Sequence, residues 1–163
     1  IYTRDKGLVK IINEGEGYKT SSVLSTIENN VPLIQTITLF YPDIDGINLR
    51  TIDVQVSFNT NDNPKDVIEQ TIKELSVYEI LSENTKINKL CFNEHLDLSK
   101  EFTTEMNAGA EIEGLILQSV ANTLGTYYGV QNIFLTIDGE PYESGHILLN
   151  EGEPLTTDYS NIK

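Results

Sequence analysis

The side chains best suited to covalent chemistry in this sequence are one cysteine and two histidines. Cys91 is the only cysteine of the 163 residues, and His95 and His146 are the only histidines. A nucleophilic thiol needs a base such as an imidazole beside it. Cys91 lies within the segment from Ile87 to Phe92, where a small buried thiol is the favoured role, and a single cysteine forms no internal disulfide. We therefore expect no cysteine catalysis.

Two pairs of acidic residues could serve a carboxylate-dependent hydrolase of the cell wall. The pairs are Glu111 with Glu113, and Asp138 with Glu140. Such an enzyme needs two carboxyl groups that face each other across the scissile bond. Residues two apart on a helix point in different directions, and the second pair flanks a turn without an apolar pocket to raise one pKa. The hydrolase is therefore the less favoured interpretation.

A metal site finds little support in the sequence. The segment Asp43-Ile44-Asp45-Gly46 is similar to part of a calcium loop, but the third ligand and the distal glutamate are missing. His95 and His146 lie in separate segments without a cysteine or histidine companion at a zinc-like spacing. We expect no metal, no cofactor and no catalytic residue.

Aromatic side chains leave open a site for a small ligand or a peptidoglycan fragment. Sugar sites use aromatic platforms, which Tyr127, Tyr128 and Tyr142 could supply, although the chain has no tryptophan. Adjacent residues do not share one helical face. We therefore expect one of Tyr127 and Tyr128 in the core and the other at the surface.

The charge of the chain excludes several classes of partner. The formal net charge is −14, and residues 31–163 carry 21 acidic residues against 7 basic ones. Nucleic acids need clustered lysine and arginine to replace counterions, and anionic lipid surfaces are repelled by the same excess of acid. No apolar run approaches the roughly 20 residues that span a bilayer. We expect no nucleic-acid partner and no direct membrane partner.

The elements that position these residues begin after an N-terminal arm. The apolar stretch 8–12 ends at Asn13, Gly15 and Gly17, which predicts a strand or hairpin arm. Residues 19–30 are interpreted as a connector. We accordingly divide the chain into an arm and connector (1–30), a main domain (31–145) and an acidic tail (146–163) that is at best partly ordered.

Alternation of apolar and polar residues predicts five strands in the main domain. Residues 35–41 alternate, with Ile37, Leu39 and Tyr41 on one face and Phe40 on the other, and Pro42 ends the strand. The other four predicted strands are 51–58, 86–92, 95–99 and 131–137, the last of which enters an Asp138-Gly139 turn.

Residues spaced three and four apart predict two helices. The first begins at Pro64 and runs through Tyr78; the second runs from Ile112 to Tyr127, and Gly129 ends it. The order is then β-β-α-β-β-α-β. Two helices packed on one face of a mixed or antiparallel sheet give an α/β (α+β) fold.

Five segments, taken in order, resemble the spore-germination (GerM-type) domain family. They cover roughly residues 33–145, apart from an irregular stretch at 76–84 and the N-terminal arm. Tyr41, Phe102 and Leu124 are interpreted as core, and Asp97, Ser99, Asp138 and Gly139 as turn and cap residues; Thr123 bonds a local carbonyl or faces the sheet. The matching segments are Thr38 to Asp43, Thr85 to Ile87, Leu96 to Phe102, Val120 to Leu124 and Val130 to Glu140.

The resemblance implies a non-catalytic interaction domain of a sporulation or germination protein. Members are extracytoplasmic proteins of spore-forming bacteria, usually lipoproteins, and their fold is similar to ring-building modules of secretion machinery. The implied partners are envelope proteins of a sporulation complex, further copies of the chain, or both. Peptidoglycan is the alternative partner, and membrane attachment would use a tether that these 163 residues lack.

Overall fold

A computed structural model of the chain describes residues 1–4, 6–27, 31–59, 81–91 and 94–163. These residues form two units, Ile1–Val31 and Pro32–Lys163. The helix that the sequence predicts from Pro64 to Tyr78 lies outside the described residues.

The first unit consists of short antiparallel strands. Strand β1 (Tyr2–Thr3) pairs with β2 (Gly7–Leu8), and β3 (Lys10–Gly15) pairs with β4 (Tyr18–Val23). Gly17 turns the chain with a left-handed φ of 84°. The sequence predicted a connector over residues 19–30. For residues 19–23 this prediction is wrong, because they belong to strand β4, which completes a hairpin with β3. Nearly all side chains of this hairpin are exposed.

The second unit opens with a long antiparallel hairpin, as the alternation predicted. Strand β5 (Pro32–Pro42) pairs with β6 (Leu49–Asn59) over its whole length, with Leu39 opposite Ile52. Ile37 and Leu39 are buried, as expected of the apolar face. Phe40, on the opposite face, is also buried, because its ring lies 5.7 Å from that of Tyr159 in the C-terminal segment.

The remaining strands form a mixed sheet of five. They are β7 (Ile87–Cys91), β8 (His95–Leu98), β9 (Asn132–Ile137), β10 (Glu140–Pro141) and β11 (Leu155–Thr156). The order is β10-β9-β8-β7, with β11 also paired to β9, and only the β8–β9 pair is parallel among these described pairs. The sequence predicted a mixed or antiparallel sheet, and this sheet is mixed; it contains three of the five predicted strands (β7, β8 and β9), whereas β5 and β6 form a separate two-stranded sheet.

Asp138 and Gly139 alone connect β9 to β10, with Ile137 paired to Glu140. Their φ angles are 49° and 86°. Two consecutive positive φ angles in a two-residue loop define a type I′ turn, whose twist matches that of the flanking strands. The predicted Asp-Gly turn is confirmed, and it needs the glycine.

Two helices lie in the described part of this unit. Helix α1 (Glu101–Thr104) lies where the sequence predicted no helix, and it buries Phe102 completely. Helix α2 (Ala110–Tyr128) is the predicted second helix and ends at Gly129, whose φ is 70°. Helix α2 contacts β5, β9 and β11, so its apolar stripe joins the hairpin and the sheet in one core. The result is a mixed α+β fold.

The C-terminal residues pack on this core, contrary to the expectation of a partly ordered tail. Strand β11 pairs with β9, and Leu149 is buried. Near the end of the chain, the Leu49 amide donates to the Asn161 carbonyl at 3.1 Å. The Lys163 amide in turn donates to the Leu49 carbonyl at 3.0 Å. Backbone pairing of this kind gives an extended segment a defined position.

Candidate functional site

The first acid pair is divided between core and solvent. Glu111 is exposed in the first turn of α2, whereas Glu113 is only 2% exposed. The Tyr142 hydroxyl donates to Glu113 Oε1 at 2.8 Å, and the Ser144 hydroxyl donates to the same oxygen. Burial and the bond to Glu113 raise the pKa of the Tyr142 phenol. As their spacing predicted, Glu111 and Glu113 do not form a facing pair.

The second acid pair belongs to the β9–β10 turn. Asp138 Oδ1 accepts from Asn88 Nδ2 at 2.8 Å, and Glu140 is exposed. Asp97 on strand β8 also stabilises the turn, because its Oδ1 accepts a hydrogen bond from the Gly139 amide at 2.8 Å. These acids stabilise the turn, as the sequence analysis expected of Asp97 and Asp138.

Cys91 and His95 lie directly opposite each other on β7 and β8. The Thr136 hydroxyl donates a hydrogen bond to Asp97 Oδ1 at 2.6 Å. Because that hydroxyl has only one hydrogen, the contact of 2.9 Å between His95 Nε2 and Thr136 Oγ1 has the imidazole as donor and the hydroxyl oxygen as acceptor. This Asp97–Thr136–His95 chain bridges the parallel strands β8 and β9. Cys91 is partly buried beside a small apolar hollow that His95 and Tyr128 also line. His146 lies on a separate loop, bound through its amide to Ser144.

The calcium-like segment is an aspartate-stabilised turn. Asp43 Oδ1 accepts from the amides of Ile47 at 2.9 Å and Asn48 at 3.2 Å. Those backbone donors lower the pKa of the Asp43 carboxyl. In the part of the chain that the structure describes, no three His, Cys, Asp or Glu side chains come together as a metal site would require.

The three tyrosines do not form one platform. Tyr142 binds Glu113 in the first turn of α2, whereas Tyr127 and Tyr128 occupy its last turn, about 20 Å away along the axis. The prediction that one of Tyr127 and Tyr128 is core and the other surface is wrong. Both are partly buried, with ring centroids 4.8 Å apart. Burial raises the pKa of Tyr128 to about 12 and also raises that of Tyr127.

A polar row on α2 holds the C-terminal segment, and the sequence analysis did not single it out. Asn122 is fully buried; its Nδ2 donates to the Asp158 carbonyl at 2.6 Å and its Oδ1 accepts from the Asp158 amide at 2.9 Å. Gln118 Nε2 donates to the Thr156 carbonyl at 3.0 Å. Polar residues within the apolar stretch of a helix were the available signal, since buried polar side chains need partners.

Thr123 occupies the same buried surface of the helix. Its Oγ1 accepts from the Phe40 amide at 3.0 Å across 83 residues of sequence. Of the two roles considered for Thr123, the one facing the sheet is therefore correct. This bond fixes α2 against the edge of β5.

The chain forms a mixed α+β domain. Its buried polar side chains Glu113, Asp97 and Asn122 are hydrogen-bonded to other groups of the same domain. Among the described helices, none has the length and apolar character needed to cross a membrane. The protein-family model Germane, described as "Sporulation and spore germination", matches residues 38–143. The chain therefore belongs to this sporulation and germination family.

A solved structure supports the fold. The tandem GerMN domains of the sporulation protein GerM from Bacillus subtilis match with a TM-score of 0.52 and 20% identity over 75% of this chain. The match covers 46% of the tandem-domain chain, so this chain corresponds to about half of it. The first GerMN domain of the same protein matches with a TM-score of 0.47 and 21% identity, covering 75% of this chain and 97% of that one. No curated protein sequence matches.

Proposed function

We propose that this domain is a non-catalytic interaction module that supports assembly of a multiprotein complex in the envelope of a spore-forming bacterium. Membership of the sporulation and germination family supplies the biological setting. Protein surfaces rather than a reaction centre would then carry the function.

One observation favours this function over catalysis: the buried carboxyl groups of Glu113 and Asp97 are engaged in internal hydrogen bonds. Glu113 is bound by Tyr142 and Ser144. Asp97 is bound by Thr136 and the Gly139 amide. A general acid or base must reach a substrate proton with a free, positioned group. These carboxyl groups instead join α2 to the segment after β10, and β8 to β9.

Extracytoplasmic location and a lipid tether form part of the proposal through the family resemblance. A tethered domain would meet its partners at high local concentration, so individually weak contacts would suffice. The partners proposed are envelope proteins of a sporulation complex, further copies of the chain, or both. A peptidoglycan fragment is the competing partner.

Partner capture in sporulating cells tests the proposal. The tagged full-length protein would be cross-linked, purified and its companions identified, with Leu39→Pro as the unfolded control, because Leu39 is fully buried in the paired strand β5. Specific recovery of envelope proteins, lost in the control, is expected. Recovery of glycan alone would replace assembly with peptidoglycan binding.

A second experiment addresses the hydrolase. Glu111 and Glu140 are exposed, so Glu111→Gln and Glu140→Gln remove one member of each acid pair without disturbing the core. We expect the double variant to support sporulation as the wild type does. Loss of the phenotype with an unchanged melting temperature and unchanged partner capture would favour the enzyme.

A further inference from the structure

The loop that joins β5 to β6 presents two large apolar side chains to solvent. Ile44 is 100% exposed and Ile47 is 69% exposed. We call residues 43–48 the isoleucine loop. Single exposed apolar residues are common on proteins, so the pair gains meaning only from how the loop is held and from what surrounds it.

The isoleucine loop has a fixed conformation. Besides the two amides bound by the Asp43 carboxyl group, the Asp43 amide donates to the Asn48 carbonyl at 2.8 Å and the Gly46 amide donates to the Asp43 carbonyl at 3.0 Å. Gly46 has a φ of 64°, and a side chain there would collide with Ile112 of helix α2. The loop therefore lies close to Ile112 and is held by its own hydrogen bonds, so presenting Ile44 and Ile47 costs little further ordering on binding.

A second loop lies against the same turn of α2. The hydroxyls of Tyr142 and Ser144 are hydrogen-bonded to Glu113. The backbones of Glu143 and Leu148 pair in an isolated antiparallel β-bridge, and the Leu148 side chain is 64% exposed. Because Ile112 and Glu113 are neighbours, both loops sit at the end of the domain where α2 begins. We call Ile44, Ile47 and Leu148, with the two loops that carry them, the helix-end surface.

Carboxylates outnumber basic side chains around this surface, although Arg50 is exposed two residues beyond the isoleucine loop and Lys163 is bonded to Leu49 beside it. From Glu101 to Ile162 the sequence contains ten acidic residues and no lysine or arginine. Glu111, Glu143 and, from the isoleucine loop, Asp45 are exposed at or beside the helix-end surface. His146 lies on the second loop and is also exposed. The exposed apolar side chains thus have three exposed carboxylates, those of Asp45, Glu111 and Glu143, at or beside them.

We propose that the helix-end surface binds a segment of a partner protein that combines apolar and basic side chains. The inference rests on the proposed interaction function and specifies its partner. Apolar anchors at the centre of an interface supply binding energy, and complementary charges around them supply speed and selectivity. A second copy of the same surface would bring carboxylates against carboxylates, and an anionic lipid surface would be repelled.

Binding of defined peptides tests the surface directly. The probe is a short fluorescein-labelled peptide of alternating leucine and lysine, compared with leucine–glutamate and serine–lysine peptides of equal length. Anisotropy should show binding of the leucine–lysine peptide alone, weakened by added salt because the charges involved are exposed. Nitrogen-15 chemical shifts should change at residues 43–48 and 142–148.

Matched variants locate the binding. Ile44→Thr with Ile47→Thr should weaken the leucine–lysine peptide by about tenfold or more, as expected for the loss of central anchors. Ile34→Thr is the control, because Ile34 is 67% exposed on β5, about as much as Ile47. The control should bind like the wild type, and melting temperatures should agree for all three proteins.

Several outcomes would overturn the proposal. They are equal binding by the loop variant, equal binding of the leucine–glutamate peptide, loop-dependent binding to phosphatidylcholine vesicles, and loop-dependent self-association in sedimentation. In cells, a partner captured equally by wild type and loop variant would reject this surface while leaving the interaction function in place. Capture of no partner by the wild type would reject that function itself.

Discussion

Replacing Asn122 with alanine should release the C-terminal segment from helix α2. The Asn122 side chain makes two hydrogen bonds to the backbone of Asp158 and one to Gln118, and it is fully buried. Each lost backbone bond costs roughly 1 kcal/mol, and the small cavity adds to this, so we expect unfolding to become easier by about 2–3 kcal/mol. For a unit of this size the melting temperature should fall by about 6–12 °C.

Urea unfolding followed by circular dichroism measures the loss, and hydrogen exchange locates it. Amide protection should fall at 156–161 before it falls elsewhere. Gln118→Ala is the control: Gln118 is partly exposed and makes one bond to the segment, so we expect a loss below about 1 kcal/mol. A loss under about 0.5 kcal/mol for Asn122→Ala, with protection at 156–161 unchanged, would refute the role of Asn122 as a clamp.

Three further predictions follow from single contacts. Thr123→Val should lower the free energy of unfolding in urea by about 1–2 kcal/mol, because it leaves the Phe40 amide buried without its acceptor. Thr123→Ser keeps a hydroxyl and should lower it less. Equal losses for the two variants would count against the hydrogen bond. Gly139→Ala should destabilise the domain by about 1–2 kcal/mol, because the φ of Gly139 is 86°. Gly114→Ala should stabilise it by about 0.5–1 kcal/mol, because Gly114 lies on α2 with open space around it. Stability changes of the same sign for both variants would contradict the role of Gly139 in the turn. Folding raises the pKa of Tyr142, so the stability that this phenol contributes is complete below a pH of about 10 and is lost as the pH rises through its pKa in the folded protein. Tyr142→Phe should therefore flatten the fall of the urea midpoint at alkaline pH. An unchanged fall would attribute the pH dependence to other groups, Tyr128 among them.

Features encoded in neighbouring residues were predictable from the sequence. Alternation located β5 and β6, and three- and four-residue spacing located α2. Gly129 and the Asp138-Gly139 pair marked a helix end and a turn because only certain residues tolerate a positive φ. Each of these signals acts over a few residues, so a single sequence carries it completely.

Features that depend on distant pairs were not predictable in the same way. Nothing in the spacing of α2 indicates that Asn122 would bind Asp158, or that Glu113 would meet Tyr142. The burial of Phe40 was missed for the same reason, since its cover is Tyr159. The tail looked loosely ordered because its own residues have little apolar pattern, and its order comes from partners elsewhere in the fold. Only the general rule that a buried polar side chain needs a partner connects these positions in advance.

The absence of lysine and arginine between Glu101 and Ile162 also decides which reagents can report on this part of the chain. Trypsin has no cleavage site there, so helix α2 and strands β9 to β11 would leave a digest as one long peptide. Lysine-directed cross-linkers likewise have no target within it. A carbodiimide, which couples carboxylates directly to amines, would join exposed acids such as Glu111 and Glu143 only to amines in direct contact with them. Any covalent product at those positions would therefore report a lysine or amino terminus, of this chain or of a neighbour, within touching distance.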